Sequence, residues 1–307
     1  MSKSGLEGYK LLLGYKDIPA FLLKYLDTPC LLRLKKVGYF CGMDYASKNI
    51  YQFQEYISRF DHSLTTSLMT WNFTKRKKDT IAALFHDVAT PCFSHVIDYM
   101  NRDYIVQEST EEYTEQILRN SEYLKKCLKQ DDIKIEDIIE FKKYSIVDNS
   151  RPKLCTDRLD GIILTGYGWI KEINYRDIKE ILFQTEVYKN HQDEEEIGFK
   201  SKDTAKKIVE YNQHINQACH SLEDTYMMEL LASITREAIH ERLITYQQLF
   251  SLNEEEMIQI LKNSSSKTLL TKLKLFFTIQ KKDIPNIGNV QLKERTINPL
   301  VRGKRLF

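Results

Sequence analysis

A chain of 307 residues with 42% hydrophobic and 29% charged side chains is long enough to bury a substantial core as one large or two small domains. A net charge of +2 gives no reason to expect a bulk nucleic-acid binder. The absence of any apolar run of about 18 residues argues against a membrane span.

The start, "MSKSGLEGYK", has no apolar core of a signal peptide. Residues 18–39 carry apolar side chains at helical spacing, with Asp27-Thr28-Pro29 predicting an N-cap followed by proline at the first helical position. Residues 41–58 are less periodic and predict a short hairpin or a loop. Helices are predicted from His62 to Phe73 and, after the "TKRKKD" turn, through "IAALFHDVAT" at 81–90. Further helices are predicted over 132–141, 176–183 and 202–211, and a strong pattern over 221–249 fits one or two more. "SLNEEE" at 251–256 predicts a capped helix start.

Two segments break the helical pattern. The acidic "DEEE" run within 190–201 predicts a solvated loop. The tail beyond Phe276 turns to β-branched and turn residues, predicting short strands and a solvated basic end, "RGKR". The expectation is a mainly α chain forming one compact unit over 1–307, with a core over 15–185 and a helical extension with short strands over 200–307. Six cysteines with no CxxC spacing predict free thiols in a reducing, cytoplasmic setting. The basic clusters at 75–78 and 302–305 are short and separate, so nucleic acid is not the expected partner.

The apolar run "IAALF" ends in His86 and Asp87, and polar groups placed there are costly unless compensated. Adjacent residues on a helix point about 100° apart, so both reach one point only from a helix end. Pro91, which disfavours helix in the residue before it, supplies that end. Upstream, His62 lies in "SRFDHSL"; downstream, Asp157 lies in "CTDRLDGI". Two imidazoles and two carboxylates suit a divalent ion that keeps positions open for water and substrate. Each residue singly also fits a hydrogen-bonded core polar group.

The ordered set "DTPCLLRLKKVGYF", "SRFDHSL", "ALFHDVATPCFSH" and "DRLD" resembles the HD-domain phosphohydrolases, and within them the deoxynucleoside triphosphate triphosphohydrolase branch. "SLEDTYMMELLASITREAIHERL", "YQQLFSLNEEEMIQILK" and "KERTINPLV" are similar to later segments of that branch, so the resemblance spans roughly residues 15–300. It implies an HD-domain helical bundle with additional C-terminal helices. It also implies that His62, His86, Asp87 and Asp157 hold one divalent metal. Manganese, iron, magnesium, cobalt, nickel and zinc all remain open, mixed N/O ligation suiting manganese or iron best.

The resemblance further implies phosphate binding by Arg59 and Arg158, the alternative for Arg59 being an ion pair with Asp61. It makes His95 a general acid for the leaving oxygen, with Asp98 one turn away able to orient it or to sit as a helix-surface carboxylate. The chain departs from the branch at three places. Ala89-Thr90 stands for Gly-His, leaving Thr90 as the phosphate-facing group; Gln107 stands for a catalytic histidine; Gly161 and Thr165 stand for the residues that hold the sugar. The implied activity is attack of metal-activated water on a phosphate ester of a nucleotide or other small phosphoester, triphosphate release leading. A nucleoside monophosphatase, a cyclic-nucleotide phosphodiesterase or a non-catalytic regulatory binder are the alternatives. The resemblance also suggests a homo-oligomer, which no feature of the sequence itself specifies.

Overall fold

Closely spaced caps and turns break the first third of the chain into short helices. A computed structural model describes residues 5–288 and 290–307. Helices α1 (Gly5–Leu12), α2 (Ala20–Leu26) and α3 (Pro29–Arg33) open it. Thr28 is the extended N-cap residue and Pro29 the first helical position of α3, as expected. The Thr28 hydroxyl donates to the Tyr25 carbonyl at 2.7 Å instead of capping α3. Residues 41–58 form a loop with one 3-10 turn at Met43–Tyr45, not a hairpin; a single bridge from Gly38 to Ser58 closes it.

Helix α4 (Arg59–Thr74) starts on a capping box, in which Ser58 Oγ accepts from the Asp61 amide and Asp61 accepts from the Ser58 amide at 2.9 Å. Lys75 in the left-handed region ends it, and α5 (Lys77–Phe85) packs back against it. Ile81, Ala82, Ala83, Leu84 and Phe85 are all fully buried. A helix apolar on every side belongs in the core. At roughly 1.5–3 kcal/mol for each large side chain, this burial outweighs the cost of drawing one polar residue in behind it.

Next come α6 (Val96–Asn101), α7 (Thr114–Asn120), α8 (Glu122–Gln130) and α9 (Glu136–Ile139). The helix expected over 132–141 shrinks to α9, because Asp132 takes φ 53° and separates it from α8. Helix α10 (Thr156–Thr165) runs into a π-helical turn at Gly166–Ile170, and α11 (Tyr175–Gln184) follows.

Only the first half of the acidic run, Asp193 and Glu194, is the exposed loop that the sequence predicts. The run's last two glutamates begin strand β2 (Glu195–Phe199), antiparallel to β1 (Thr185–Lys189) with Thr185 opposite Phe199. Glu196 is fully buried and receives the Arg305 guanidinium through both terminal nitrogens, Nη2 at 2.8 Å. The basic end is therefore also structured. β3 (Leu300–Val301) pairs parallel to β2, and β4 (Lys304–Arg305) pairs antiparallel to β3, giving the order β1-β2-β3-β4.

Four helices complete the chain: α12 (Lys202–Cys219), α13 (Leu222–His240), α14 (Glu254–Lys262) and α15 (Lys267–Thr278). The pattern over 221–249 divides at His240, and α14 is capped by an Asn253–Glu256 box. The architecture is mainly α with one small sheet, as the sequence predicts.

The core falls into two clusters. One joins α1–α5 with α10, α11, β2 and α12; the other joins Met43–Tyr51 and Cys92–Tyr99 with α13–α15. A cavity of about 660 Å³ takes its walls from both, Phe40 and Ile162 from the first, Tyr51, Tyr99 and Met228 from the second.

Candidate metal centre

Arg59 and His62 lie three residues apart on α4, and Asp157 and Asp160 three apart on α10, so each pair shares a helical face. The two helices pack together, and the end of α5 meets them. His86 is the residue that closes α5, still with helical backbone. The chain then turns, the Thr90 amide donating to the Asp87 carbonyl at 2.9 Å, which frees Asp87 to face the same point.

The four expected ligands converge. His62 Nε2 lies 3.0 Å from Asp157 Oδ1 and 3.8 Å from Asp87 Oδ2. His86 Nε2 lies 3.4 Å from Asp157 Oδ1, 3.8 Å from Asp87 Oδ1 and 3.3 Å from His62 Nε2. Ligand atoms of His62, His86 and Asp87 all fall within 4.8 Å of one another.

The partners behind the rings set their tautomers. His62 Nδ1 lies 2.7 Å from Asp160 Oδ2, and His86 Nδ1 lies 2.7 Å from the Ala83 carbonyl. A carbonyl or an ionised carboxylate only accepts, so each Nδ1 carries the hydrogen and each Nε2 turns a lone pair inward. Metal-ligating histidines are commonly held in this way. Burial pulls the pKa of both rings down, but nearby carboxylates more than reverse it. Asp157 and Asp160 raise that of His62, and Asp87 and Asp157 raise that of His86 to about 10. Burial opposes ionisation of Asp87 and Asp157, yet the imidazoles hold both below the usual carboxylate range. Two inward lone pairs between two carboxylates demand a positive charge, and the donor set fits a divalent ion. A second group, Asp148, Cys155 and Asp157, is less suited. Arg158 Nη2 already sits 2.9 Å from Asp148, and burial pushes the Cys155 thiol up to about 12.

Asp160 is the residue the sequence reading left without a role. It is fully buried and also accepts from Thr65 at 2.9 Å and from the Tyr9 hydroxyl. The i, i+3 spacing of "DRLD" was the available signal.

Arg59 lines the cavity but pairs with Asp87, Nη1 to Oδ2 at 3.0 Å, and not with Asp61, which holds Lys10. Its Nε donates to Ser94 at 3.1 Å, and its plane covers the Tyr39 ring at 4.8 Å. Phe93 and Ser94 take φ 65° and 49°, a left-handed pair that delivers His95 to the cavity wall. Such residues cost about 1–2 kcal/mol each, and here the Ser94 hydroxyl, bonded to Arg59 and the Gly38 carbonyl, holds the conformation. His95 Nδ1 lies 2.8 Å from Asp98 Oδ2; Asp98 is fully buried, so it orients His95 and is no surface carboxylate.

Three other expectations change. Thr90 is buried and forms no part of the cavity wall; its carbonyl accepts from Arg33 at 2.6 Å, so it faces no phosphate. Arg158 lines the cavity, but its terminal nitrogens are spent on Asp148, Asn149 and the Lys153 carbonyl, which pin residues 148–153. Gln107 reaches the cavity with φ 57°, and its Oε1 accepts from Arg295 Nη2 at 2.9 Å. Gly161 lines the cavity, with the Tyr39 hydroxyl 3.1 Å from where a Cβ would stand.

Arg151, Lys293 and Arg295 form a cationic wall that periodicity could not reveal, because loops bring them together. Arg151 donates to the Thr296 carbonyl at 3.2 Å, and Lys293 to the Val106 carbonyl at 2.6 Å. Among the described residues none of the three has a carboxylate within ion-pair distance. Burial and the neighbouring Arg158 and Arg295 lower Arg151 to about 10. Uncompensated cations lining a cavity are suited to an anionic ligand.

Fold and site together define a mainly α protein with a buried His–Asp cluster able to hold a metal ion. Among the described residues no helix is long and apolar enough to cross a membrane. No family model matches the chain. The chain is similar to the uncharacterized protein YdhJ of Bacillus subtilis (strain 168), 22% identical over 253 residues, which is 80% of this chain and 74% of that protein.

Proposed function

We propose that this chain is an HD-type, metal-dependent phosphohydrolase acting on nucleotides, with release of triphosphate from a nucleoside triphosphate as the leading reaction. The observation that carries the reading is the facing pair of histidine Nε2 atoms, 3.3 Å apart, on the wall of a cavity that also presents Arg151, Lys293 and Arg295. His62, His86, Asp87 and Asp157 would hold one divalent ion, manganese or iron being best suited to mixed N/O ligation. Such an ion, when bound, acts as a Lewis acid toward phosphate oxygens and lowers the pKa of water.

The protein groups divide the remaining work. Arg59 and the cationic wall bind phosphate oxygens and orient the ester. His95, protonated on both nitrogens, gives its Nε2 proton to the leaving oxygen while Asp98 accepts from Nδ1 and stabilises the charged ring. Gln107 holds Arg295 in place and moves no proton. Six free cysteines accord with a reducing, cytoplasmic setting.

One observation favours a second reading, a protein that binds metal and nucleotide without turnover: Gln107, where the resembled branch has a histidine, is committed to Arg295. A screen of nucleotides against Mg, Mn, Fe, Co and Ni, with the products identified, separates the two. Triphosphate, orthophosphate or a linear monophosphate would name the reaction, and His95→Ala should cut its rate by ~10²–10⁴-fold. Metal-loaded protein that binds nucleotides yet releases no product across the panel would leave only the second reading.

A further inference from the structure

Asp224 occupies the third position of α13, where a carboxylate usually turns back to cap the helix. Here it does not. The Ser221 amide donates to the Ala218 carbonyl at 3.1 Å, and the Asp224 side chain lines the cavity. The Tyr51 hydroxyl donates to Asp224 Oδ1 at 2.6 Å. Among the described residues no donor reaches Oδ2, and no cation stands within ion-pair distance of either oxygen. Trp169, Tyr99 and Met228 line the cavity as well, Trp169 standing 5.9 Å from the Tyr51 ring.

We propose that Asp224, oriented by Tyr51, reads the N–H edge of a nucleobase held among Trp169, Tyr99 and Met228, with guanine as the preferred base. This rests on the nucleotide reading of the same cavity. A carboxylate only accepts hydrogen bonds, so it selects an edge that donates. Guanine presents two adjacent donors, N1–H and the N2 amino group, matching two carboxylate oxygens; adenine alternates donor and acceptor there. Flat and apolar side chains supply the stacking that such an edge-reading pocket needs. A buried polar group left unpaired by the wrong ligand gives strong discrimination.

Burial raises the Asp224 carboxyl to about 7 against the pull of Tyr51 and Arg295, as expected of a group short of donors until a ligand supplies them. The replacement of the sugar-holding residues of the resembled branch by Gly161 and Thr165 leaves recognition to be made elsewhere, and this carboxyl is placed to make it.

The test is calorimetric binding of guanosine, adenosine and inorganic tripolyphosphate to the manganese-loaded protein. Guanosine should bind more tightly than adenosine, and Asp224→Asn should weaken guanosine at least tenfold while tripolyphosphate, held by Arg151, Lys293 and Arg295, still binds. Tyr51→Phe, which keeps the ring and removes only the orienting hydroxyl, should weaken guanosine by a smaller factor. Guanosine binding unchanged in Asp224→Asn, or no nucleoside binding by the wild type, overturns the proposal. Failure of tripolyphosphate alone, with guanosine bound, would sink the phosphate reading and leave this one standing.

Discussion

The Nε2 atoms of His62 and His86 face each other across 3.3 Å, each ring hydrogen-bonded from behind through Nδ1, one to Asp160 and the other to the Ala83 carbonyl. Neither ring can turn its lone pair away without breaking a buried hydrogen bond. A positive charge is therefore built into the requirements of the site, and a proton and a metal ion compete to supply it.

That competition sets the pH dependence. Without metal, both imidazoles titrate above their ordinary value, His86 near 10. Metal binding must release those protons, so manganese affinity should rise with pH up to about 10 and fall in acid. For the metal-free protein the sign follows from a folded pKa raised above the unfolded value. The stabilisation is full below about 6.5 and is lost as pH rises through about 10. Calorimetry in buffers of different ionisation enthalpy counts the released protons; an affinity flat with pH would contradict the facing-lone-pair arrangement.

Asp160→Ala should weaken metal binding by ~10–100-fold although Asp160 is not one of the four proposed ligands. The same change strips the acceptor from Tyr9 and Thr65, which adds about 1–3 kcal/mol of destabilisation. Asp157→Ala should abolish stoichiometric metal. Elemental analysis of purified variants beside their melting curves tests both, and full metal content in Asp157→Ala would remove Asp157 from the ligand set.

Glu254 is fully buried, and burial together with the charge of Asp44 raises its carboxyl to about 8. Both carboxylates crowd Gly38, where an added Cβ would stand 2.8 Å from Asp44 Oδ2 and 3.0 Å from Glu254 Oε2. Here too the folded pKa is raised, so the wild type should lose stability as pH climbs from about 4.5 through 8. Glu254→Gln should remove that slope and be the more stable form above pH 8. Parallel slopes in urea titrations across this range would show that Glu254 is not the cause.

Glu196 and Arg305 join β2 to the last strand through a buried two-pronged pair. Arg305→Ala should cost about 3 kcal/mol, because it leaves a buried carboxylate without a counter-charge, held only by the Leu154 amide and Asn190. The double variant Glu196→Gln with Arg305→Met should recover much of that loss. Denaturant midpoints measure both, and a loss below 1 kcal/mol would mean that the pair is solvated in solution.

Individual elements show why the sequence was legible where it was. Pro29, the Ser58–Asp61 box and the Asn253–Glu256 box act within one turn, so helix starts follow from neighbours in the chain. His86 and Asp87 had to sit at a helix end for a reason of helical geometry alone, and they do. The acidic run at 193–196 misled because its last residue, Glu196, is buried against Arg305, more than a hundred residues away. Thr90 and Arg158 misled for the same reason, since motif position says nothing about which partners fill a side chain's hydrogen bonds.

From sequence alone come the mainly α character, the short strands near the end and the four residues that converge as a candidate metal centre. The first two rest on local spacing and residue type, the four residues on the ordered motif set and the resemblance it carries. Only the tertiary structure decided what surrounds them: Asp160 behind His62, Tyr39 in the space beside Gly161, the cationic wall of Arg151, Lys293 and Arg295, and Asp224 with Tyr51. Those contacts join loops and helices far apart in the chain. Burial and charge compensation depend on what packs there, and no local pattern records it.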